Sequence, residues 1–207
     1  MLEKYLGTHI WNKLLLAVLV IFLISIHELK GQECNQSLGL QRLLIPDEQI
    51  HASSWMPGRS DPWYGRLGNE SKKSWCATTL DINQFLQIDY GPNLRRFTGI
   101  VTQGSHNYDH WVTSYTLSHS IDGNNWIQYK ESGVEKVFTG NNDRTTNVYH
   151  PLNESINATF LRFHPKTWNV EICMRVEAYG CDGLTTPGPQ DAQLNHNACK
   201  HLHHDLP

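Results

Sequence analysis

From Trp111 the odd positions Trp111, Thr113, Tyr115, Leu117 and Ile121 are mostly apolar, and the even positions Val112, Ser114, Thr116, Ser118 and Ser120 are mostly polar, with His119 the exception on the odd face. A period of two puts successive side chains on opposite faces of an extended chain, so this segment predicts a half-buried strand. Asp122-Gly123 then supplies a turn and Trp126 to Tyr129 resumes the extended pattern, which predicts a hairpin. Near the end, Ile172, Met174, Val176 and Ala178 alternate with Cys173, Arg175, Glu177 and Tyr179. Phe85 to Tyr90, Phe97 to Thr102 and Thr159 to Phe163 are further short extended runs, separated by clusters of Gly, Pro, Asn and Asp. After the first thirty residues no segment carries the 3.6-residue period of a long amphipathic helix. The pattern therefore predicts an all-β sandwich or barrel.

The N-terminal segment obeys a different rule. Lys4 and Lys13 precede an apolar run from Leu14 to Ile26, and His27, Glu28 and Lys30 end it. That is the layout of a secretory signal peptide. Thirteen residues at about 1.5 Å each reach roughly 20 Å, short of the roughly 30 Å of a hydrocarbon core, so cleavage near Gly31 is expected rather than a permanent span. Residues 1-31 are read as the leader, and the mature product as soluble and extracellular. The whole chain of 207 residues has 17 basic against 20 acidic side chains, a net charge of −3, and the mature part is left with 14 against 18. No global basic field is present to attract nucleic acid. Four acceptor sequons, at Asn35, Asn69, Asn153 and Asn157, agree with a secretory route and are expected on solvent-facing loops.

All five cysteines, at 34, 76, 173, 181 and 199, follow the leader, where an oxidising compartment favours disulfides. Spacing alone leaves the pairing open. Cys34 and Cys181 bracket everything with a strand pattern, and Cys76 with Cys173 would nest inside them. Beyond Cys181 the chain is rich in Gly, Pro, Asn and His with no apolar period, so residues 182-207 read as a flexible tail. Cys199 is the odd cysteine, and an unpaired cysteine in an oxidising space is expected to link two copies of the chain.

The segments IPDEQIHASSW (45-55), YGRLGN (64-69), SWCA (74-77), FLQIDYG (85-91), GIVTQG (99-104), YTLSHSIDGNNW (115-126), GNNDRTTNV (140-148), FLRFHP (160-165) and ICMRVEAYGC (172-181) occur in this order. Together they resemble the discoidin domain family, also called coagulation factor V/VIII type C, across residues 34-181. SWC and CMRVEAYGC look like the discoidin domain receptors, whereas TQGSHNYDHWVTSY and GNNDRTTNV look closer to retinoschisin. The resemblance implies an antiparallel jelly-roll sandwich or barrel of about eight strands. It also implies bridges Cys34 to Cys181 and Cys76 to Cys173, and ligand binding by loops at one end without catalysis. No nucleophile, metalloprotease or phosphate-loop motif is present to argue for an enzyme.

Two loops stand out chemically. Trp55, Met56, Arg59 and Trp63 place large apolar side chains and a cation among Pro and Gly, and Trp and Arg recur at interface hot spots. The resemblance puts Trp55 where collagen-binding receptor domains carry an exposed Trp and where lipid-binding members carry apolar residues. Ser105, His106, Asn107, Tyr108 and Asp109 mix polar groups with an aromatic, which suits a sugar or a polar peptide. Ser105 replaces the Arg of the collagen-binding branch. Trp168 is expected to complete the rim, while Trp75, Trp111 and Trp126 read as core. No cofactor is required, although Asp81, Asp89 and Asp109 offer oxygen ligands for structural calcium. His196, Cys199, His201, His203 and His204 could hold zinc or copper, but the plainer reading is a solvated tail. The function expected is a secreted adhesion or matrix-attachment module that grips a glycan, a collagen-like or other matrix protein, or a cell-surface receptor. The alternatives are a phospholipid-binding module and a structural component of extracellular or mineralised matrix.

Overall fold

A computed structural model describes residues 34–68 and 72–183. The leader, Asn69, and the tail from 184 onward with Cys199 and its neighbouring histidines lie outside the described residues. Among the described residues thirteen extended segments follow one another: β1 (Gln36–Ser37), β2 (Ile50–Ala52), β3 (Trp75–Cys76), β4 (Leu86–Asp89), β5 (Arg95–Gln103), β6 (Trp111–Ser120), β7 (Ile127–Gln128), β8 (Lys130–Glu131), β9 (Val134–Glu135), β10 (Phe138–Thr139), β11 (Val148–Ala158), β12 (Phe160–Asn169) and β13 (Cys173–Asp182). Two short 3-10 turns, Asp47–Gln49 and Pro62–Gly65, are the helical elements among them.

One sheet has the order β1-β13-β5-β11, with β3 also paired to β13, and the other has the order β10-β6-β12-β4-β2, with β7 beside β6. Every strand pair is antiparallel. Apolar side chains from both sheets meet between them: Phe97, Ile100, Val176 and Ala178 from one, and Leu86, Ile88, Tyr115, Leu117, Leu161 and Phe163 from the other. This is a jelly-roll sandwich in which local alternation became a two-sheet core. Cys34 is bonded to Cys181, and Cys76 to Cys173, as the resemblance implied.

The predicted hairpin is present, with Ser118 opposite Gln128 and His119 opposite Ile127. Its turn is organised by Asp122, whose carboxylate accepts hydrogen bonds from the backbone N–H groups of Asn124 and Asn125 and from Ser120 Oγ. These bonds stabilise the charged form and hold the carboxyl far below its ordinary range. Gly123 takes φ +73° there, a value that L side chains rarely adopt.

Three expectations need correcting. Ile121 lies beyond the end of β6 and is exposed, while Val112 of the nominally polar row is buried. The cause is a local irregularity, because β12 pairs Pro165 with Tyr115, Thr167 with Ser114 and Trp168 with Val112, so the alternation changes phase near Thr113. Asn153 and Asn157 lie in β11 rather than on loops; Pro151 and the sequons hid a strand whose pairing with β5 shifts between Pro151 and Ile156. Of the three tryptophans read as core, Trp75 is fully buried, but Trp111 and Trp126 are half-buried. Trp126 instead covers the outer sheet face, where the Arg162 guanidinium lies 3.7 Å from its ring centroid and 4.2 Å from that of Phe85.

His164, on β12, is half-buried with Nε2 2.7 Å from Ser118 Oγ. Burial first, then the positive charges of Lys166 and Arg162, push its pKa down to about 4. In the unfolded chain it titrates near 6.5. Between these values the unfolded state binds more protons, so stability is full above about pH 6.5 and falls by about 3 kcal/mol as pH drops towards about 4. His119, also shifted down by burial, acts in the same direction. Denaturant midpoints of wild type and His164→Gln across this window are expected to show the steeper loss in wild type; parallel pH profiles would contradict it.

Candidate functional site: a cleft between loops

Three loops and the approach to β13 meet at one end of the sandwich and enclose a cleft of about 720 Å³ lined by Met56, Gly58, Arg59, Ser60, Lys73, Cys76, Ala77, Thr78, Leu80, Asn107, Tyr108, His110 and Glu171. Its size suits a small ligand or one side chain of a larger one.

The first loop is held from beneath. Gln84 Oε1 accepts hydrogen bonds from both Ser53 Oγ and Ser54 Oγ, at 2.6 Å each. Trp75 Nε1 donates to the Ser54 carbonyl, and Ser60 Oγ accepts from the Met56 N–H and donates to the Cys76 carbonyl. Held by these bonds from the core side, the loop turns Trp55 and Met56 outward, 38% and 45% exposed. Arg59 is exposed at the lip, its Nη1 3.5 Å from Met56 Sδ. Lys73 Nζ donates to the Gly58 carbonyl and to Tyr64 Oη and sits over the Tyr64 ring.

The third loop, residues 104–110 between β5 and β6, is anchored by buried Arg175, whose Nε donates to the Gly104 carbonyl and whose Nη2 donates to the Arg144 carbonyl. Asn107 Nδ2 donates to the Lys72 carbonyl, and Asn169 Nδ2 to the Asp109 carbonyl. Tyr108, 62% exposed, stacks on His110, whose Nδ1 lies 3.2 Å from Glu171 Oε2. The cleft therefore has two cationic side chains, Arg59 and Lys73, a His-Glu pair, an exposed phenol, and apolar lips from Met56 and Leu80. That combination can stack a flat apolar face while offering hydrogen bonds around it.

The residues expected at the site divide. Met56, Arg59, Asn107 and Tyr108 line the cleft, and Trp55 stands exposed next to it in sequence. His106 is half-buried with Nδ1 3.1 Å from Asn107 Oδ1, and exposed Asp109 is 3.3 Å from Arg144 Nε. Ser105 is corrected: it is 2% exposed and its hydroxyl receives a 3.0 Å hydrogen bond from Ser74 Oγ, so it supports the loop from within. Trp63 and Trp168 are half-buried and pack against the core. Lys73, Leu80 and Glu171 were not legible in advance, because each depends on loops distant in sequence meeting.

The acidic residues considered for calcium are spent locally. Asp81 Oδ1 accepts from Asn83 N and Gln84 Nε2, bonds that lower its pKa, and Asp89 Oδ1 accepts from Gly91 N. Among the described residues the group with metal-like spacing is Cys76, Glu171 and Cys173, but its two sulfurs are joined in a disulfide and offer no thiolate.

Comparison with known proteins adds a lineage. The pattern of the F5/8 type C domain matches residues 49–178. Lactadherin of Rattus norvegicus is 38% identical over 164 residues, covering 74% of this chain and 38% of lactadherin. Coagulation factor V of Bos taurus is 38% identical over 167 residues, covering 75% of this chain but 8% of that protein. The chain thus spans well under half the length of these relatives. Among solved structures, discoidin II of Dictyostelium discoideum superposes with a TM-score of 0.62 at 27% identity, covering 74% of this chain and 60% of that one.

Proposed function

The chain belongs to the F5/8 type C domain family, and on that premise we propose that it is a secreted, non-enzymatic binding module that attaches to a cell surface or extracellular matrix through the cleft between its loops. Residues 1-31 serve as the leader, 34-181 as the binding domain and 182-207 as the tail. The observation that carries the reading is the exposure of Met56 and Tyr108 on the wall of the cleft, with Trp55 exposed beside Met56 in sequence, on loops hydrogen-bonded from below through Gln84, Ser60 and Arg175. Exposed aromatic side chains on a rigid scaffold bind at low entropic cost. The ligand class that fits is a glycan or a protein segment, collagen included: Tyr108 and Trp55 supply stacking faces, and Arg59, Asn107 and His110 supply hydrogen bonds. Cys199 joins two copies through a disulfide, so a non-reducing gel of the secreted protein is expected to show a dimer that Cys199→Ser removes.

A second reading, attachment to a phospholipid surface, is favoured by Leu80 and Val170, which are exposed on the same loops. Apolar side chains there would enter the interfacial region while the exposed Arg59 meets headgroups. The test is a binding screen of the full chain against collagens, a glycan array and phosphatidylserine vesicles, alongside Trp55→Ala and Tyr108→Ala. Each substitution is expected to weaken binding by about tenfold to a hundredfold. Retention of a glycan or collagen supports the first reading; retention of vesicles alone selects the second. A folded chain that binds none of them contradicts both.

A further inference from the structure

The sequons of the described residues differ in a way that the sequence does not reveal. Asn35, Asn153 and Asn157 are all exposed. Their partner hydroxyls, two positions later, have unlike fates. Ser37 lies in β1, paired with Tyr179, and its Oγ donates a 2.7 Å hydrogen bond to the buried carboxylate of Glu177. Thr159 is buried, and its Oγ1 donates to the carbonyls of Ile121 at 3.0 Å and Ser120 at 3.4 Å, while its N–H bonds the Ser120 carbonyl. Ser155, by contrast, is exposed, and its Oγ accepts a hydrogen bond from the exposed Arg96 side chain. It falls in the stretch between Pro151 and Ile156 where the β11 to β5 pairing is interrupted. Asn157 itself is paired with Arg96 inside the ladder.

We propose that these are N-glycosylation sites of two kinds: Asn35 and Asn157 can be modified only before the domain folds, whereas Asn153 remains an acceptor afterwards. The inference rests on the secretory reading above, since the donor exists in that compartment. In the reaction the side-chain amide nitrogen bonds C1 of an oligosaccharide carried on a lipid pyrophosphate. The C1–O bond to pyrophosphate breaks, and the amide proton leaves with the lipid pyrophosphate, with no change in oxidation state. Transfer requires the acceptor hydroxyl and the backbone around it to be released from other partners. In the folded domain Ser37 and Thr159 are committed to Glu177 and to the Ser120-Ile121 turn, so releasing them means undocking β1 or the start of β12. Releasing Ser155 costs one exposed hydrogen bond, and the further ties of its segment, Glu154 N–H to Tyr129 Oη and Ser132 N–H to the Glu154 carboxylate, lie outside the β5 ladder, so no strand has to undock.

The placement also bears on the cleft. Asn157 is opposite Arg96, and β5 continues from there to Gln103 before entering the third loop. Seven steps at about 3.4 Å put this site roughly 24 Å from the cleft end. Glycans at Asn157 and at Asn35, which adjoins the Cys34 to Cys181 bridge, therefore leave the loops bare. On β11, the edge strand of its sheet, Asn153 and Asn157 would shield an open edge from pairing with another chain.

The test uses the full chain made without glycans, offered purified oligosaccharyltransferase and lipid-linked oligosaccharide either folded or reduced and unfolded, with site occupancy read by glycopeptide mass spectrometry. Unfolding is expected to raise the rate at Asn35 and Asn157 by about tenfold or more, and to change it little at Asn153. Asn157→Gln should abolish its glycan without altering the denaturant midpoint, whereas Thr159→Ala should lose the glycan and lower the midpoint. Equal acceleration at all three sites, ready modification of folded Asn157, or no transfer to any site in either state would overturn the proposal.

Discussion

Glu177→Ala is expected to destabilise the domain by about 3 to 5 kcal/mol, among the largest effects of any single substitution in this chain. Glu177 is completely buried on β13, and its carboxylate accepts hydrogen bonds from Ser37 Oγ at 2.7 Å, Gln41 N at 2.8 Å, Leu40 N at 3.3 Å and Ala178 N at 2.9 Å. A charge is tolerated there because donors from the N-terminal turn surround it. Alanine would leave the Leu40 and Ala178 N–H groups unsatisfied in buried positions, at about 1 to 3 kcal/mol each, while water can reach Ser37 and Gln41 and recover part of their loss. Glu177→Gln keeps the shape but turns an NH2 group towards donors, so it should fall between wild type and alanine. Urea denaturation checks this; a loss under about 0.5 kcal/mol for the alanine variant would show that the turn is not pinned by this carboxylate.

The second large effect concerns the bridge beneath the cleft. Cys76 stands directly opposite Cys173 where β3 pairs with β13, and the bridge closes a sequence separation of 97. Replacing both by serine is expected to cost about 4 to 5 kcal/mol through the added entropy of the unfolded chain. Both are replaced together because Cys173 alone would be a buried thiol free to mispair. The Cys34 to Cys181 bridge and the two-sheet core remain, so the domain should still fold. Its cleft should loosen, because the Cys76 carbonyl accepts the Ser60 hydroxyl that holds the first loop. Thermal denaturation gives the first effect and faster amide exchange over residues 76 to 80 the second. A double variant as stable as wild type, with exchange unchanged, would mean that the strand pairing suffices without the bridge.

What the sequence disclosed depended on whether the relevant neighbours were local. The hairpin at Asp122-Gly123 was legible because its turn and both strands lie within a short stretch. The alternation of Ile172 to Tyr179 correctly marked β13, yet its polar row suggested solvent where Arg175 and Glu177 are in fact buried. β13 lies between β1 and β5, and its second face is covered by the N-terminal turn and by the third loop, which Arg175 and Glu177 bind. β11 was hidden because Pro151 and the Asn-rich stretch read as loop, whereas an irregular edge strand accommodates both. At the candidate site, composition pointed to Trp55, Met56, Arg59 and Tyr108. It could not show that Ser105 faces Ser74, or that Lys73, Leu80 and Glu171 close the cleft, because those contacts join loops far apart in the chain.

The central claim, that ligand is held in the cleft at the loop end, is tested most directly by hydrogen exchange of the full chain with and without the collagen, glycan or phosphatidylserine vesicle that it retains. Protection is predicted in residues 54 to 60, 72 to 80, 105 to 110 and 169 to 173. The strands around Asn157 and the Trp126-Arg162 face should be unchanged. Protection on that outer face or at the β11 edge, with the loops exchanging as before, would contradict the account.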